Sequence, residues 1–262
     1  MTAQLIEIIK NWHQDVPIII GLNAPPGSGK TTLCAKLADS LTNEHGLKTL
    51  SLSIDDFYKT KDERLTMAEH IHPLFKTRGV PGTHDINLAI QTLTQLQQAK
   101  DEDFTPLPQF SKNIDDRLPK DLWPVWQGSI DIILFEGWCV GSIAQTDEEL
   151  IEPINDLERL EDPDMIWRRT VNKALKEEYP PIFKMIDYLI TLSPPSFDII
   201  YDWRLEQEQN HNQSMAPDEV NRFLAHYERL IMSNFNNLLK DSNLCVNLSD
   251  DHSILEIMDG EA

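Results

Sequence analysis

The sequence predicts an α/β fold of three layers, with helices on both faces of a five-stranded, mainly parallel sheet and one long insertion. Three observations carry this. Short apolar runs alternate with longer stretches of helical period, the pattern of a parallel sheet covered by helices. The first run passes at once into a glycine-rich turn that opens a helix. The connection from the second run to the third is about 75 residues long, too long for a plain crossover helix.

Taken in order, the runs are Ile18–Leu22, Thr49–Ile54, Ile130–Phe135, Ile186–Leu192 and Leu244–Leu248, each dominated by aliphatic residues. Helical period places helices at about 30–43, 62–75, 85–99, 164–178, 196–209 and 217–240. Asp85 stands at the N-cap position of the third of these, and Pro217-Asp218-Glu219 opens the last. The long crossover contains Gly79-Val80-Pro81-Gly82 and the proline-rich stretch Pro106–Pro124, and reads as a substrate-covering insertion over about 57–128. Trp123 and Trp126 in that stretch read as a satellite core. The acidic tail from Asp250 to Ala262 reads as a cap or a loose end. No repeat or low-complexity segment interrupts the chain, so one domain over 1–262 is expected.

Composition narrows the function. The 262 residues carry 23 Lys+Arg against 43 Asp+Glu, a net charge of −20. Such a chain lacks the basic field of a nucleic-acid binder or of a protein that docks on anionic membranes. Any phosphate it handles must be held by a local site. Hydrophobic residues make up 40%, enough for a core. The apolar run Val16–Leu22 is far too short to span a bilayer, and Met1–Asp15 is polar and amphipathic without a signal-peptide layout. Cys34, Cys139 and Cys245 are far apart and form no CxxC pair, which favours a reducing compartment over a disulfide framework or a zinc site. The expectation is a soluble cytoplasmic protein, a monomer or homodimer, with no nucleic-acid or membrane partner.

The strongest motif follows the first strand: Ala24-Pro25-Pro26-Gly27-Ser28-Gly29-Lys30-Thr31-Thr32. This is a P-loop with Ala where the first Gly usually stands. Consecutive backbone N–H groups must turn inward around a phosphate, and Gly27 and Gly29 supply dihedrals that a Cβ hinders. Lys30 reaches the β and γ phosphates, the Thr31 hydroxyl ligates Mg²⁺, and the helix N-terminus adds donors and a favourable dipole. The ATP-binding residues are therefore Pro26, Gly27, Ser28, Gly29, Lys30, Thr31 and Thr32.

Carboxylates tip the next two strands. Asp55 and Asp56 follow the second, at the end of the sheet where ligands bind in open α/β folds. They read either as a proton acceptor or Mg²⁺ ligand, or as a turn pair that caps a helix. Glu136 ends the third strand, where P-loop enzymes hold Mg²⁺ through an acidic residue. Its bland alternative is an exposed strand end.

Beyond the P-loop, the segments Ser53-Ile54-Asp55-Asp56-Phe57-Tyr58, Arg78-Gly79-Val80-Pro81-Gly82-Thr83-His84-Asp85, Asp115-Asp116-Arg117 and Leu134-Phe135-Glu136-Gly137-Trp138 resemble the D-glycerate 3-kinase family. More broadly the chain is similar to the group of uridine kinase, phosphoribulokinase and bacterial pantothenate kinase. The resemblance extends over about residues 16–235. It implies ATP-dependent transfer of the γ-phosphoryl group to a small-molecule hydroxyl. It gives Asp55 the part of general base, Asp56 a metal or substrate contact, Tyr58 a contact to the substrate, and Glu136 a place in both the metal and the substrate site. Where glycerate kinases tend to read Asp-Lys-Ser, this chain has Ser111-Lys112-Asn113-Ile114, a departure in the substrate segment.

The crossover concentrates Arg78, His84, Asp85, Lys112 and Arg117. A small anionic substrate needs its carboxylate clamped, and an arginine fork does this bidentately. His84 suits the same carboxylate or a substrate hydroxyl. Taken singly each arginine reads as a surface ion pair; the family motif favours substrate contacts for Arg78, His84 and Arg117, while Lys112 reads either way. In related kinases the region about 155–180 forms a lid, which implies that Arg168 neutralises charge during transfer. Arg204 reads as an adenine stack or as a structural cation–π contact, and His70 and His72 as structural. The resulting expectation is a MgATP-dependent kinase converting D-glycerate to 3-phosphoglycerate. The alternatives are a kinase of another hydroxyl compound (nucleoside, pantothenate or sugar phosphate) and a nucleotide-dependent switch or chaperone.

Overall fold

The computed structural model describes residues 1–209 and 215–260. Helix α1 (Thr2–Trp12) leads into β1 (Ile18–Asn23), α2 (Lys30–His45) and β2 (Thr49–Ser53). The long connection holds α3 (Lys61–His70), α4 (Ile86–Gln98) and two small antiparallel pairs. These are built from β3 (Phe104–Pro106), β4 (Phe110–Ser111), β5 (Asp116–Arg117) and β6 (Val125–Gln127), with β4–β5 nested inside β3–β6. Strand β7 (Ile132–Gly137) returns to the main sheet, and α5 (Asp156–Glu161), α6 (Ile166–Glu177) and α7 (Pro180–Phe183) precede β8 (Tyr188–Ser193). Finally α8 (Asp198–Gln209), α9 (Pro217–Ala225) and α10 (Glu228–Asp241) lead to β9 (Leu244–Leu248) and β10 (Ile254–Asp259).

The main sheet has six strands in the order β10-β9-β8-β1-β7-β2, parallel except for β10, which runs antiparallel to β9. The five expected strands are present; the sixth comes from the acidic tail, which pairs with the sheet edge instead of remaining loose. Its last two residues lie outside the described ones. Residues of β1 and β7 are buried throughout, because helices cover both faces. The pleat divides β1: Ile18, Ile20 and Leu22 pack with Leu5, Ile9 and Leu37 on one face, while Ile19 joins Leu93, Phe135 and Leu175 on the other.

Two helices depart from the expected ranges. The segment 62–75 stops at His70, and Pro73 opens a short 3₁₀ turn, Pro73–Lys76, because proline cannot continue the α ladder. The segment 217–240 breaks at His226–Tyr227, where the Tyr227 ring turns in to pack edge-on against Trp138. Its hydroxyl fills the space beside Gly79, where an added Cβ would lie 2.0 Å from the tyrosine oxygen. Among the described residues no helix is long and apolar enough to cross a membrane.

Candidate active site

The site lies beyond the carboxyl ends of β1, β7 and β2, three neighbouring strands whose register sets Leu22 and Ser53 on either side of Glu136. The P-loop leaves β1 with Gly27 at φ +81° and Gly29 at φ +78°. At Gly27 an added Cβ would come within 3.0 Å of the Arg204 backbone nitrogen, so both conformation and space exclude a side chain. Gly29 caps α2 in the left-handed conformation, and Lys30, Thr31 and Thr32 form the first helical turn, whose N–H groups point to the cleft end. Pro26 and Ser28 are buried, and the Ser28 hydroxyl has no protein partner. An open cleft runs along residues 27–33 to Trp203, Gln207 and His252.

Thr31 Oγ1 donates to Glu136 Oε1 at 2.8 Å, joining the P-loop to the tip of β7. Glu136 is 1% exposed, and its Oε2 has no hydrogen-bond partner. A buried carboxylate oxygen without a donor calls for a proton or a cation. The hydroxyl and carboxylate together form a hard oxygen donor set that fits Mg²⁺, which takes few protein ligands and completes its shell with phosphates and water. Among the described residues no group of three or more His, Cys, Asp or Glu side chains is placed to hold a metal by itself.

Asp55 and Asp56 both lie in a 3₁₀ turn, Ile54–Phe57, started by the Ser53 hydroxyl, which accepts from the Asp55 N–H. The Tyr58 hydroxyl donates to Asp55 Oδ1 at 2.8 Å, and Lys112 Nζ stands 3.4 Å from Oδ2. Burial acts to raise the Asp55 pKa, but Lys112, Lys30, His84 and the Tyr58 hydroxyl outweigh it and hold the carboxyl below its ordinary value. Asp56 turns the other way and accepts the Phe110 N–H at 3.2 Å. Burial, followed by the charges of Asp55 and Glu136, pushes it up to about 6 against that hydrogen bond. The two neighbouring carboxyls are thus shifted in opposite directions.

The cations of the crossover are mostly committed to other partners. Arg78 pairs with Asp115 and lies over the Phe110 ring. Arg64, which the sequence did not single out, is fully buried; it donates to the Asp115 and Lys76 carbonyls and reaches Asp115 Oδ2 at 3.1 Å. Arg117 holds Asp85 at 3.1 Å, while Asp85 caps α4 through the Leu88 N–H. Lys59 donates to the Gly82 carbonyl. The structure therefore gathers Lys30, Thr31, Asp55, Asp56, Tyr58 and Glu136 around the strand ends and sets Arg78, Asp85 and Arg117 into a supporting network.

His84 lies behind Tyr58, on which it stacks, with Nδ1 2.6 Å from the Tyr179 hydroxyl and Nε2 unpartnered. Burial pulls its pKa from 6.5 to about 4. Between those values the unfolded chain binds a proton that the fold refuses, so this contribution is complete above 6.5 and is lost as the pH falls toward about 4. Asp56 opposes it: its stabilisation is complete below 3.8 and lost as the pH rises through about 6. We therefore expect Asp56→Asn to steepen the acid loss of stability, by up to about 1.4 kcal/mol per pH unit. Urea unfolding midpoints compared at neutral and mildly acidic pH check this, and His84→Gln flattens the same profile.

Arg168 requires a correction. It is 3% exposed, and its guanidinium donates to the Leu150, Ile151 and Asp162 carbonyls and to Asp162 Oδ2. It locks the start of α6 rather than facing the P-loop, because a buried guanidinium takes the nearest carboxylate and helix-end carbonyls. Arg204 likewise pairs with Glu208 and lies over Phe223, its structural alternative. The His72 side chain accepts the Leu74 N–H.

Comparison with known proteins bears on family and fold. The chain matches the KAP family P-loop domain over residues 1–242. It is 31% identical over 224 residues to the uncharacterized kinase mug58 of Schizosaccharomyces pombe, covering 80% of this chain and 78% of that one. It is 32% identical over 225 residues to the chloroplastic D-glycerate 3-kinase of Arabidopsis thaliana. The chain belongs to the P-loop kinase family that includes D-glycerate 3-kinase. That alignment takes in 80% of this chain but 46% of the Arabidopsis protein, so the chain spans about half the length of that relative. Among solved structures, D-glycerate 3-kinase from Cryptococcus neoformans superposes with a TM-score of 0.82 over 99% of both chains at 23% identity, which supports the family fold.

Proposed function

We propose that this P-loop kinase transfers the γ-phosphoryl group of MgATP to the hydroxyl of a small hydroxy acid, D-glycerate, giving 3-phosphoglycerate and ADP. The observation that carries the reading is the meeting of three strand ends: a phosphate-binding loop on β1, the acidified Asp55 after β2, and Glu136, bonded to Thr31, on β7. The family relationship supports D-glycerate as the acceptor.

In this reading Lys30 and the loop amides hold the β and γ phosphates, and Thr31 and Glu136 would hold Mg²⁺. Bound Mg²⁺ would offset charge on the phosphates. Asp55 orients the acceptor hydroxyl and accepts its proton as the new oxygen–phosphorus bond forms and the bond from the γ phosphorus to the β–γ bridging oxygen breaks. Tyr58 fixes the Asp55 carboxylate so that one oxygen keeps its direction.

The test is coupled ADP release from MgATP with D-glycerate, set against L-glycerate, uridine, pantothenate and no acceptor. The expected outcome is turnover with D-glycerate and recovery of 3-phosphoglycerate. Turnover with a different acceptor alone would keep the kinase and replace its substrate. Slow hydrolysis indifferent to every acceptor would favour a nucleotide-dependent switch.

A further inference from the structure

The substrate site has to recognise its acceptor with some cation, and the structure restricts the choice. Lys30 belongs to the phosphates. Arg64 and Arg78 share Asp115, Arg117 holds Asp85, and Lys59 is tied to a backbone carbonyl. Releasing the buried member of these pairs would strand a charge away from water, which is costly.

Lys112 differs from all of them. It is 66% exposed, and its partner, Asp55, is the carboxylate that meets the acceptor hydroxyl. An ion pair so open to water is cheap to exchange. The backbone beneath it is fixed, however. The Phe110 N–H is held by Asp56, the Asp115 carbonyl by Arg64, and Asp116 Oδ1 by the Lys61 N–H, so the β4–β5 loop carries Lys112 on a firm base. Only its side chain has to move.

We propose that Lys112 is the residue that selects a carboxylated acceptor, exchanging its contact with Asp55 for the acceptor's carboxylate. This rests on the kinase reading above. The exchange places the acceptor's anionic end at the loop tip and its hydroxyl toward Asp55, which is then free to accept the proton. A neutral acceptor leaves the lysine paired with Asp55 and so competes for that oxygen.

The experiment compares D-glycerate with its neutral amide on wild type, Lys112→Met and Lys112→Arg. Acceptor affinity is measured by calorimetry with MgADP bound, and turnover is followed in parallel. The expected result is that Lys112→Met raises Kd and KM for D-glycerate on the order of 10- to 100-fold with a smaller change in kcat. Wild type should lose a similar factor when the carboxylate becomes an amide, and the two changes together should cost little more than either alone. Lys112→Arg should recover part of the affinity. Equal D-glycerate affinity in wild type and Lys112→Met, or losses that simply add, would overturn this assignment and leave the kinase reading standing. Failure of wild type to phosphorylate any acceptor would overturn the kinase reading itself and this proposal with it. Because the side chain is exposed, thermal melting of the variants should match wild type.

Discussion

Asp55→Asn is expected to lower kcat by about 10²- to 10⁴-fold while MgATP still binds with close to wild-type affinity. The amide keeps the size of the side chain and can still accept from Tyr58, so the local turn survives. What it loses is the capacity to take the acceptor's proton. Because Asp55 is held acidic, the base is ionised throughout the neutral range. Acid inactivation of kcat/KM should therefore begin below the ordinary carboxylate range, and the variant should lack that limb altogether. Single-turnover transfer and nucleotide titration, measured on the same preparation, separate loss of chemistry from loss of binding. Unchanged turnover would remove Asp55 from the reaction.

The second large effect is expected at Glu136. Substitution by Gln preserves shape and allows a hydrogen bond to Thr31, yet it removes a buried carboxylate between β1 and β2 at the P-loop. We expect kcat to fall by about 10²- to 10³-fold, comparable to loss of one electrostatic contact in a transition state. The Mg²⁺ concentration giving half-maximal rate should rise as well. The same change relieves repulsion on Asp56, whose carboxyl should titrate lower. Metal titration of the initial rate checks the first point, and carboxyl chemical shifts followed against pH check the second. A variant with wild-type rate and metal dependence would reduce Glu136 to a brace for Thr31.

Much of this arrangement is legible without coordinates. Strand runs rich in isoleucine mark β1, β7 and β8, and the P-loop must follow the first of them because its glycines and lysine need a strand-to-helix turn. Asp55 and Glu136 are legible for the same reason: in a parallel sheet the carboxyl ends of neighbouring strands share one edge. Long-range pairings are less legible. Arg168 stands at a helix start, and nothing local distinguishes an arginine facing a phosphate from one buried on Asp162. Arg64 lies in a helix that otherwise reads as polar, and its partner Asp115 is 51 residues away in sequence. The sixth strand alternates weakly and remains mostly exposed, so its only strong signal is the neighbour it pairs with. The break at His226 carries neither Gly nor Pro; it follows from where the Tyr227 ring must go.

The place of β1 in the sheet governs when the molecule can acquire its shape. Its two neighbours are β7 and β8, and the Ile19 N–H is held by the Asp187 carboxylate, 168 positions later. During synthesis the strand that carries the P-loop emerges more than 100 residues ahead of either neighbour. Closing so long a loop is entropically slow, and sheets built from distant strands fold late. Nucleotide affinity should thus arise at the end of folding rather than with the appearance of the loop. A nascent chain ending before Ile132 presents this apolar strand unpaired, which makes it a natural client for chaperones.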